Sequence, residues 1–133
     1  MSLLLLDTTF LVDAERARPD LDAVIDDDDD VAIAAVTIAE LRVGALLATG
    51  RHRASRAAYV DAVADGVPVL DYDAEVAEVH AALLVDVRRR GRPRGAHDLI
   101  IAATAKAYDR TIVTADAAAF AGLPEVKVRA HRS

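Results

Sequence analysis

The sequence predicts an α/β fold, a three-layer α/β/α sandwich around a mostly parallel sheet of about five strands. Three observations carry that expectation. Short apolar runs bounded by polar residues recur along the chain, as strands buried on both faces of a parallel sheet require. Longer stretches rich in Ala, Leu and Arg lie between them with helical spacing. The two kinds alternate, and that order gives a parallel sheet with right-handed crossovers.

Leu3–Leu6, ending at Asp7, reads as the first strand. Val31–Val36, ending at Thr37, reads as the second, preceded by the aspartate run Asp26–Asp30, a solvated loop because like charges repel and stay hydrated. In the next helix Ile38, Leu41, Ala45 and Ala48 share a face, and Thr37-Ile38-Ala39-Glu40 fits a capping box with Thr37 as N-cap. A second helix is expected around Ala54–Ala64, then a third strand at Val67–Leu70. Val76, Val79, Leu83 and Val87 mark a helix over roughly Ala74–Arg90. Another spans Asp98–Tyr108, with Leu99, Ala102, Ala103 and Ala107 together. Thr111–Thr114 is the fourth strand and Val126–Arg129 a weaker fifth. Two helices thus separate the third and fourth strands, where a plain crossover needs one, so topology alone does not place Asp98.

The 133 residues suit one domain, with no linker-like segment and no internal repeat. Hydrophobic residues at 53% and charged residues at 29% exclude disorder as the main state. The absence of cysteine excludes disulfide scaffolds, thiolate zinc sites and cysteine nucleophiles. Aromatic residues at 4%, without Trp, argue against modules that stack single-stranded bases on rows of aromatics. A net charge of -6 disfavours a simple basic nucleic-acid binder and leaves room for an acidic centre with a basic rim. The apolar runs fall short of the ~18 residues of a membrane helix. The start of the chain lacks the basic region of a signal peptide. A cytoplasmic protein without membrane contact is expected.

Ligands in parallel α/β sheets bind beyond the carboxyl ends of the strands, and four acids point there. Asp7 ends the first strand, Glu40 lies early in the helix after the second, Asp98 opens a helix, and Asp116 lies two residues past the fourth strand. Each has an ordinary structural role available, as helix cap or strand terminator. Four caps have no reason to converge, whereas a metal site needs convergence. Two carboxylates about 4 Å apart repel by roughly 1 kcal/mol in water and about 4 kcal/mol at a protein-like dielectric. A hard cation such as Mg²⁺ or Mn²⁺ offsets that repulsion.

At these residues the chain resembles PIN domains and, among them, the VapC toxins of bacterial toxin–antitoxin pairs. The matching segments are Leu-Leu-Leu-Leu-Asp-Thr-Thr-Phe-Leu-Val-Asp (3–13), Ala-Val-Thr-Ile-Ala-Glu-Leu-Arg-Val-Gly (35–44), His-Asp-Leu-Ile-Ile-Ala-Ala-Thr-Ala (97–105) and Thr-Ile-Val-Thr-Ala-Asp-Ala-Ala-Ala-Phe (111–120). Gly122-Leu123-Pro124-Glu125-Val126 suits the family's ending. The resemblance implies a single PIN domain over 1–133 and a Mg²⁺-dependent endoribonuclease, with Mn²⁺ as a possible substitute. It places the catalytic, metal-holding quartet at Asp7, Glu40, Asp98 and Asp116. Asp7 and Asp98 are expected as direct ligands, with Glu40 and Asp116 completing the shell directly or through water. Thr8 and Thr114 fall where supporting hydroxyls stand, and Thr114 is expected to orient a carboxylate. Thr9 stands where another small residue is usual and receives no role. The implied partners are RNA, a small VapB-like antitoxin and a second copy of the chain.

Arg88–Arg90 read as a helix C-terminus whose charge favours the dipole. Arg92 and Arg94 read as contacts to RNA phosphates, because their loop leads into Asp98. Arg51, Arg53, Arg56 and Lys106 read as surface. His97 reads as a loop or supporting histidine, while His52, His80 and His131 lack metal-ligand spacing. Leu41, Val43, Leu46 and Leu47 nearly encircle one helix, which invites either a partner or the helix around Ala54–Ala64 to cover it.

Three other readings compete. A phosphoacceptor receiver domain would use Asp71, yet Asp7 is followed by Thr8-Thr9 instead of a further acid, and Lys127 lies inside the expected last strand. A metal nuclease acting on DNA shares the same acids. An interaction protein would use them only as caps and would bind no Mg²⁺.

Overall fold

The structure is a computed structural model that describes residues 1–16 and 25–131. Five strands, β1 (Leu3–Leu6), β2 (Asp30–Ala34), β3 (Val69–Leu70), β4 (Thr111–Thr114) and β5 (Val128–Ala130), form one sheet. Their order is β3-β2-β1-β4-β5, and every pairing is parallel. The helices are α1 (Thr8–Glu15), α2 (Ala35–Leu47), α3 (Gly50–Gly66), α4 (Ala74–Arg90) and α5 (Ala96–Ala107). A 3₁₀ turn over Ala117–Ala119 follows β4.

Side chains of a strand alternate between faces, and here each face carries its own helical layer. Leu5, Ala32, Ala34 and Ile112 pack with Val76, Leu83 and Val87 of α4 and Leu99 and Ile101 of α5. Leu4, Leu6, Ile33 and Val113 pack with residues of α1, α2 and α3, among them Phe10, Leu41 and Val60. Leu4 and Leu5 are both fully buried, and each such side chain favours folding by about 1.5–3 kcal/mol. The all-apolar first run therefore follows from a central strand covered on both sides.

The direction of α5 resolves the topological difficulty. Tyr108, the residue capping its C-terminus, donates hydrogen bonds to Asp71 O and to the Asp73 carboxylate at the start of α4. The two helices therefore run antiparallel. The end of α5 feeds β4 through a short turn, so its N-terminus, with Asp98, lies at the carboxyl edge of the sheet.

Several expected boundaries move. The second strand stops at Ala34, and α2 begins at Ala35 with Ala34 as an N-cap that offers no side-chain acceptor. Thr37 is thus inside the helix and fully buried, its hydroxyl without a partner, and the capping box with Glu40 does not form. β3 keeps only the last two residues of its run, α5 starts two residues before Asp98, and β5 starts at Val128. Lys127 lies outside that strand and pairs with Asp109. The aspartate run is only partly a solvated loop. Asp29 accepts from the backbone N–H groups of Ser2 and Asp26, and the Asp26 and Ser2 bonds hold its carboxyl below the usual range. Asp30 opens β2, and its carboxylate pairs with Arg110, whose guanidinium also donates to Leu4 O and Asp30 O. The end of the run is thus tied to the bottom of the central strands.

Candidate active site

Asp7 follows β1 and is almost fully buried at 4% exposure. Its Oδ1 accepts from the N–H of Thr8 at 2.7 Å, so it does cap α1. Its Oδ2 accepts from two hydroxyls, Thr114 at 2.7 Å and Thr9 at 3.0 Å. Those hydroxyls are in turn fixed by backbone: Thr9 Oγ1 accepts from Ala115 N at 2.9 Å and Thr114 Oγ1 from Asp116 N at 3.0 Å. A hydroxyl carries one proton. With both protons directed at Asp7, the 3.1 Å approach of the two hydroxyl oxygens is a packing contact, not a further bond.

Thr9, to which the sequence assigned no role, is therefore part of the site. The available signal was register. β1 pairs with β4 so that Leu6 lies opposite Val113, which brings the residues just past the two strand ends together.

Glu40 lies on the second turn of α2. Its Oε1 accepts from the Thr8 hydroxyl at 2.7 Å, and its Oε2 lies 3.4 Å from His97 Nδ1. His97 immediately precedes Asp98 on the first turn of α5. Asp98 is half-buried, and its carboxyl is pushed above the usual range by burial and then by the charges of Asp7, Glu40 and Asp116, with His97 opposing. Asp116 is exposed at the start of the 3₁₀ turn and makes no side-chain cap bond there. The structure thus brings Asp7, Glu40, Asp98 and Asp116 to one edge, with Thr8 joining Asp7 to Glu40 and Thr114 joining Asp7 to the Asp116 backbone. Only Asp7 uses its side chain as a helix cap.

Asp98 and Asp116 have no hydrogen bond to their carboxylates among the described residues. The donor set is oxygen-rich, and its one nearby imidazole is engaged with Glu40. That chemistry fits a hard divalent ion and not zinc. Among the described residues, the trio of acids whose oxygens all lie within 4.8 Å of one another is Asp26, Asp28 and Asp29, in the turn before β2. No three acids of the quartet meet within that distance.

Asp98 borders two open grooves. One of about 620 Å³ also touches Asp116, Arg92 and Arg94, and the other, of about 390 Å³, touches Glu40 and His97. Arg92 is exposed, and its guanidinium is uncommitted among the described residues. Arg94 differs from expectation. Three of its five N–H donors go to the carbonyls of Ala118, Ala119 and Ala121, so the fold engages most of the guanidinium foreseen as a phosphate contact.

An all-parallel sandwich with buried and half-buried acids at the carboxyl edge of its sheet defines an α/β domain with a carboxylate centre. The chain belongs to the PIN-domain family: the PIN domain model matches residues 4–125. It is 38% identical over 112 residues to Ribonuclease VapC5 of Mycobacterium tuberculosis, covering 84% of this chain and 81% of that protein. It is 32% identical over 130 residues to Toxin FitB of Neisseria gonorrhoeae, covering 89% of this chain and 91% of the relative. The solved structure of VapBC-5 from Mycobacterium tuberculosis, a member of the VapBC family of toxin-antitoxin systems, superposes with a TM-score of 0.79 at 34% identity over the full length of both chains. Among the described residues no helix is long and apolar enough to cross a membrane.

Proposed function

We propose that this chain is a Mg²⁺-dependent endoribonuclease, with Mn²⁺ able to substitute, acting in the cytoplasm as the toxin of a toxin–antitoxin pair. The observation that carries the reading is the convergence of four carboxylates at one edge of the sheet. Thr8 joins Asp7, by its N–H, to Glu40, by its hydroxyl, Thr114 joins Asp7 to the Asp116 backbone, and Asp98 and Asp116 keep their carboxylate oxygens open. The names of the relatives, a ribonuclease and a toxin, support the same reading.

Asp7 and Asp98 would hold the ion, with Glu40 and Asp116 completing its surroundings directly or through water. When bound, the ion supplies charge neutralisation at the phosphodiester and an activated water. Thr9 and Thr114 fix the orientation of the Asp7 carboxylate. His97 restrains Glu40. Arg92, which lines the same groove as Asp98, would meet a phosphate of a strand bound there.

The antitoxin reading has its own support. α3 packs against α2, yet Val43, Leu46 and Leu47 stay 54%, 56% and 78% exposed. The helix carrying Glu40 therefore presents an outer apolar face that the described residues leave exposed, and a partner seated there would reach the acids. The reading also includes a homodimer.

The test is cleavage of single-stranded RNA by purified protein with Mg²⁺, with EDTA, and against DNA of the same sequence. Cleavage is expected only for RNA with metal, and Asp7→Asn or Asp98→Asn should abolish it while preserving side-chain shape. Full cleavage by Asp98→Asn protein would defeat the assignment.

A further inference from the structure

Arg94 lies in the loop between α4 and α5, four residues before Asp98. Its Nη1 donates to Ala118 O and Ala119 O, both at 3.0 Å, and its Nη2 donates to Ala121 O. These carbonyls belong to the 3₁₀ turn that Asp116 opens and to the residues just after it. The carbonyls at the end of a helical turn lack partners within it, and a planar fork of donors meets several at once in a way a single ammonium cannot.

The other end of the loop is equally constrained. Gly95 is the N-cap of α5, and a Cβ built on it would stand 2.8 Å from Asp98 Oδ2. Asp98 therefore occupies the space above the residue that follows Arg94, and a shift of this loop moves the carboxylate. Asp98 and Asp116 share no hydrogen bond, although both line the groove that Arg94 borders. Arg94 joins the two segments that carry them.

We infer that Arg94 is a positioning residue that sets the separation of Asp98 and Asp116, and through it the affinity for the divalent ion; this rests on the metal-nuclease reading above. Its charge is not held out for substrate. Arg92, two residues earlier and uncommitted, is the phosphate contact of the same loop.

The test compares Arg94→Lys, Arg94→Gln and Arg92→Ala with the parent in two measurements. The first is Mn²⁺ binding by calorimetry without RNA. The second is the salt dependence of binding to a 2′-O-methyl RNA in EDTA. Lys keeps the charge and loses the fork, whereas Gln keeps a planar donor and loses the charge. Loss of a group that orients a metal ligand typically weakens metal binding by about 10- to 100-fold. Arg94→Lys should show a loss in that range, Arg94→Gln one at least as large because its amide falls short of the carbonyls, and both should leave the salt slope unchanged. Arg92→Ala should bind Mn²⁺ like the parent and flatten the salt slope by about 0.7, the value for one phosphate of a single strand. The inference is overturned if Arg94→Lys binds Mn²⁺ as the parent does, or if Arg94→Gln flattens the salt slope while leaving Mn²⁺ binding intact. Unfolding of both Arg94 variants by circular dichroism would overturn it too, since the residue would then hold the whole fold. A parent that binds no Mn²⁺ would remove the metal reading itself, a result distinct from a parent that binds while the Arg94 variants bind equally well.

Discussion

Replacing Thr114 by Val tests whether the centre is organised by its hydroxyls. Thr114 is fully buried at the end of β4, and Val nearly matches its shape, so the change removes one oxygen and little volume. Two bonds go with it. The donation to Asp7 Oδ2 at 2.7 Å is a bond to a charged group, worth about 1.5–3 kcal/mol. The Asp116 N–H, 3.0 Å from the same oxygen, loses its acceptor, at a cost of about 0.5–1.5 kcal/mol because Asp116 is exposed and water can replace the bond. Thr9 still donates to Asp7, which keeps the total to about 2–4 kcal/mol. For a chain of this size one kcal/mol moves the melting temperature by roughly 3–5 °C, so metal-free Thr114→Val should melt about 10 °C below the parent. Its Mn²⁺ affinity should fall by at least about 10-fold, because one of the two hydroxyls that aim Asp7 is gone. Thr114→Ser keeps the oxygen and should retain most of the affinity. Melting within about 2 °C of the parent, together with unchanged Mn²⁺ binding by Thr114→Val, would refute the reasoning.

Two further outcomes are expected. Burial, together with Asp7, Glu40 and Asp116, raises the Asp98 carboxyl above its ordinary 3.8, so Asp98 favours the fold when protonated, below about pH 3.8, and that contribution is lost as pH rises through the raised value. Metal-free Asp98→Asn should therefore melt at or above the parent at pH 7, with the difference shrinking toward pH 4; severe destabilisation at pH 7 would make Asp98 part of the scaffold. Leu46→Glu and Leu47→Glu alter side chains that are 56% and 78% exposed, so both should fold normally by circular dichroism and lose affinity for the antitoxin in a pull-down with purified partner, and unchanged binding by both would remove α2 as the docking face.

Much of the fold was legible because the central strands are covered on both faces, which leaves continuous apolar runs such as Leu3–Leu6 in the sequence. The edge strands were less so. β3 pairs only at Ile33–Val69 and Ala34–Leu70, so only half of its four-residue apolar run lies in the strand. The start of α2 was misplaced because capping chemistry favours Thr37, while the fold turns directly from Ala34 into the helix and buries Thr37. The four acids were legible from where they stand at strand and helix ends. The hydroxyl of Thr9 was not, since its role depends on which strands are neighbours. Arg94 misled for a related reason: its distance from Asp98 along the chain was visible, whereas the carbonyls that occupy it lie 24 to 27 residues further on.

The bonds that shape the centre are long-range. Thr114 meets Asp7 across 107 residues, Thr9 meets Ala115 across 106, and Thr8 meets Glu40 across 32. None of them forms within a single strand–helix unit. The first two require β1 to have paired with β4, and the third requires α1 and α2 to have docked on the same face of the sheet. A partly folded chain therefore holds Asp7 with the local Thr9 bond alone and lacks the Thr114 and Thr8 hydroxyl contacts. Asp7 shows why two roles are compatible: Oδ1 caps α1 while Oδ2 receives the hydroxyls, and a carboxylate has about four lone-pair sites, so three donors leave about one free. Adding a further donor to Asp7 would strengthen the scaffold and close that position, whereas removing one would free the carboxylate to turn. Asp7 is thus a buried carboxylate held by three donors, beside Asp98 and Asp116, whose carboxylate oxygens accept no hydrogen bond among the described residues.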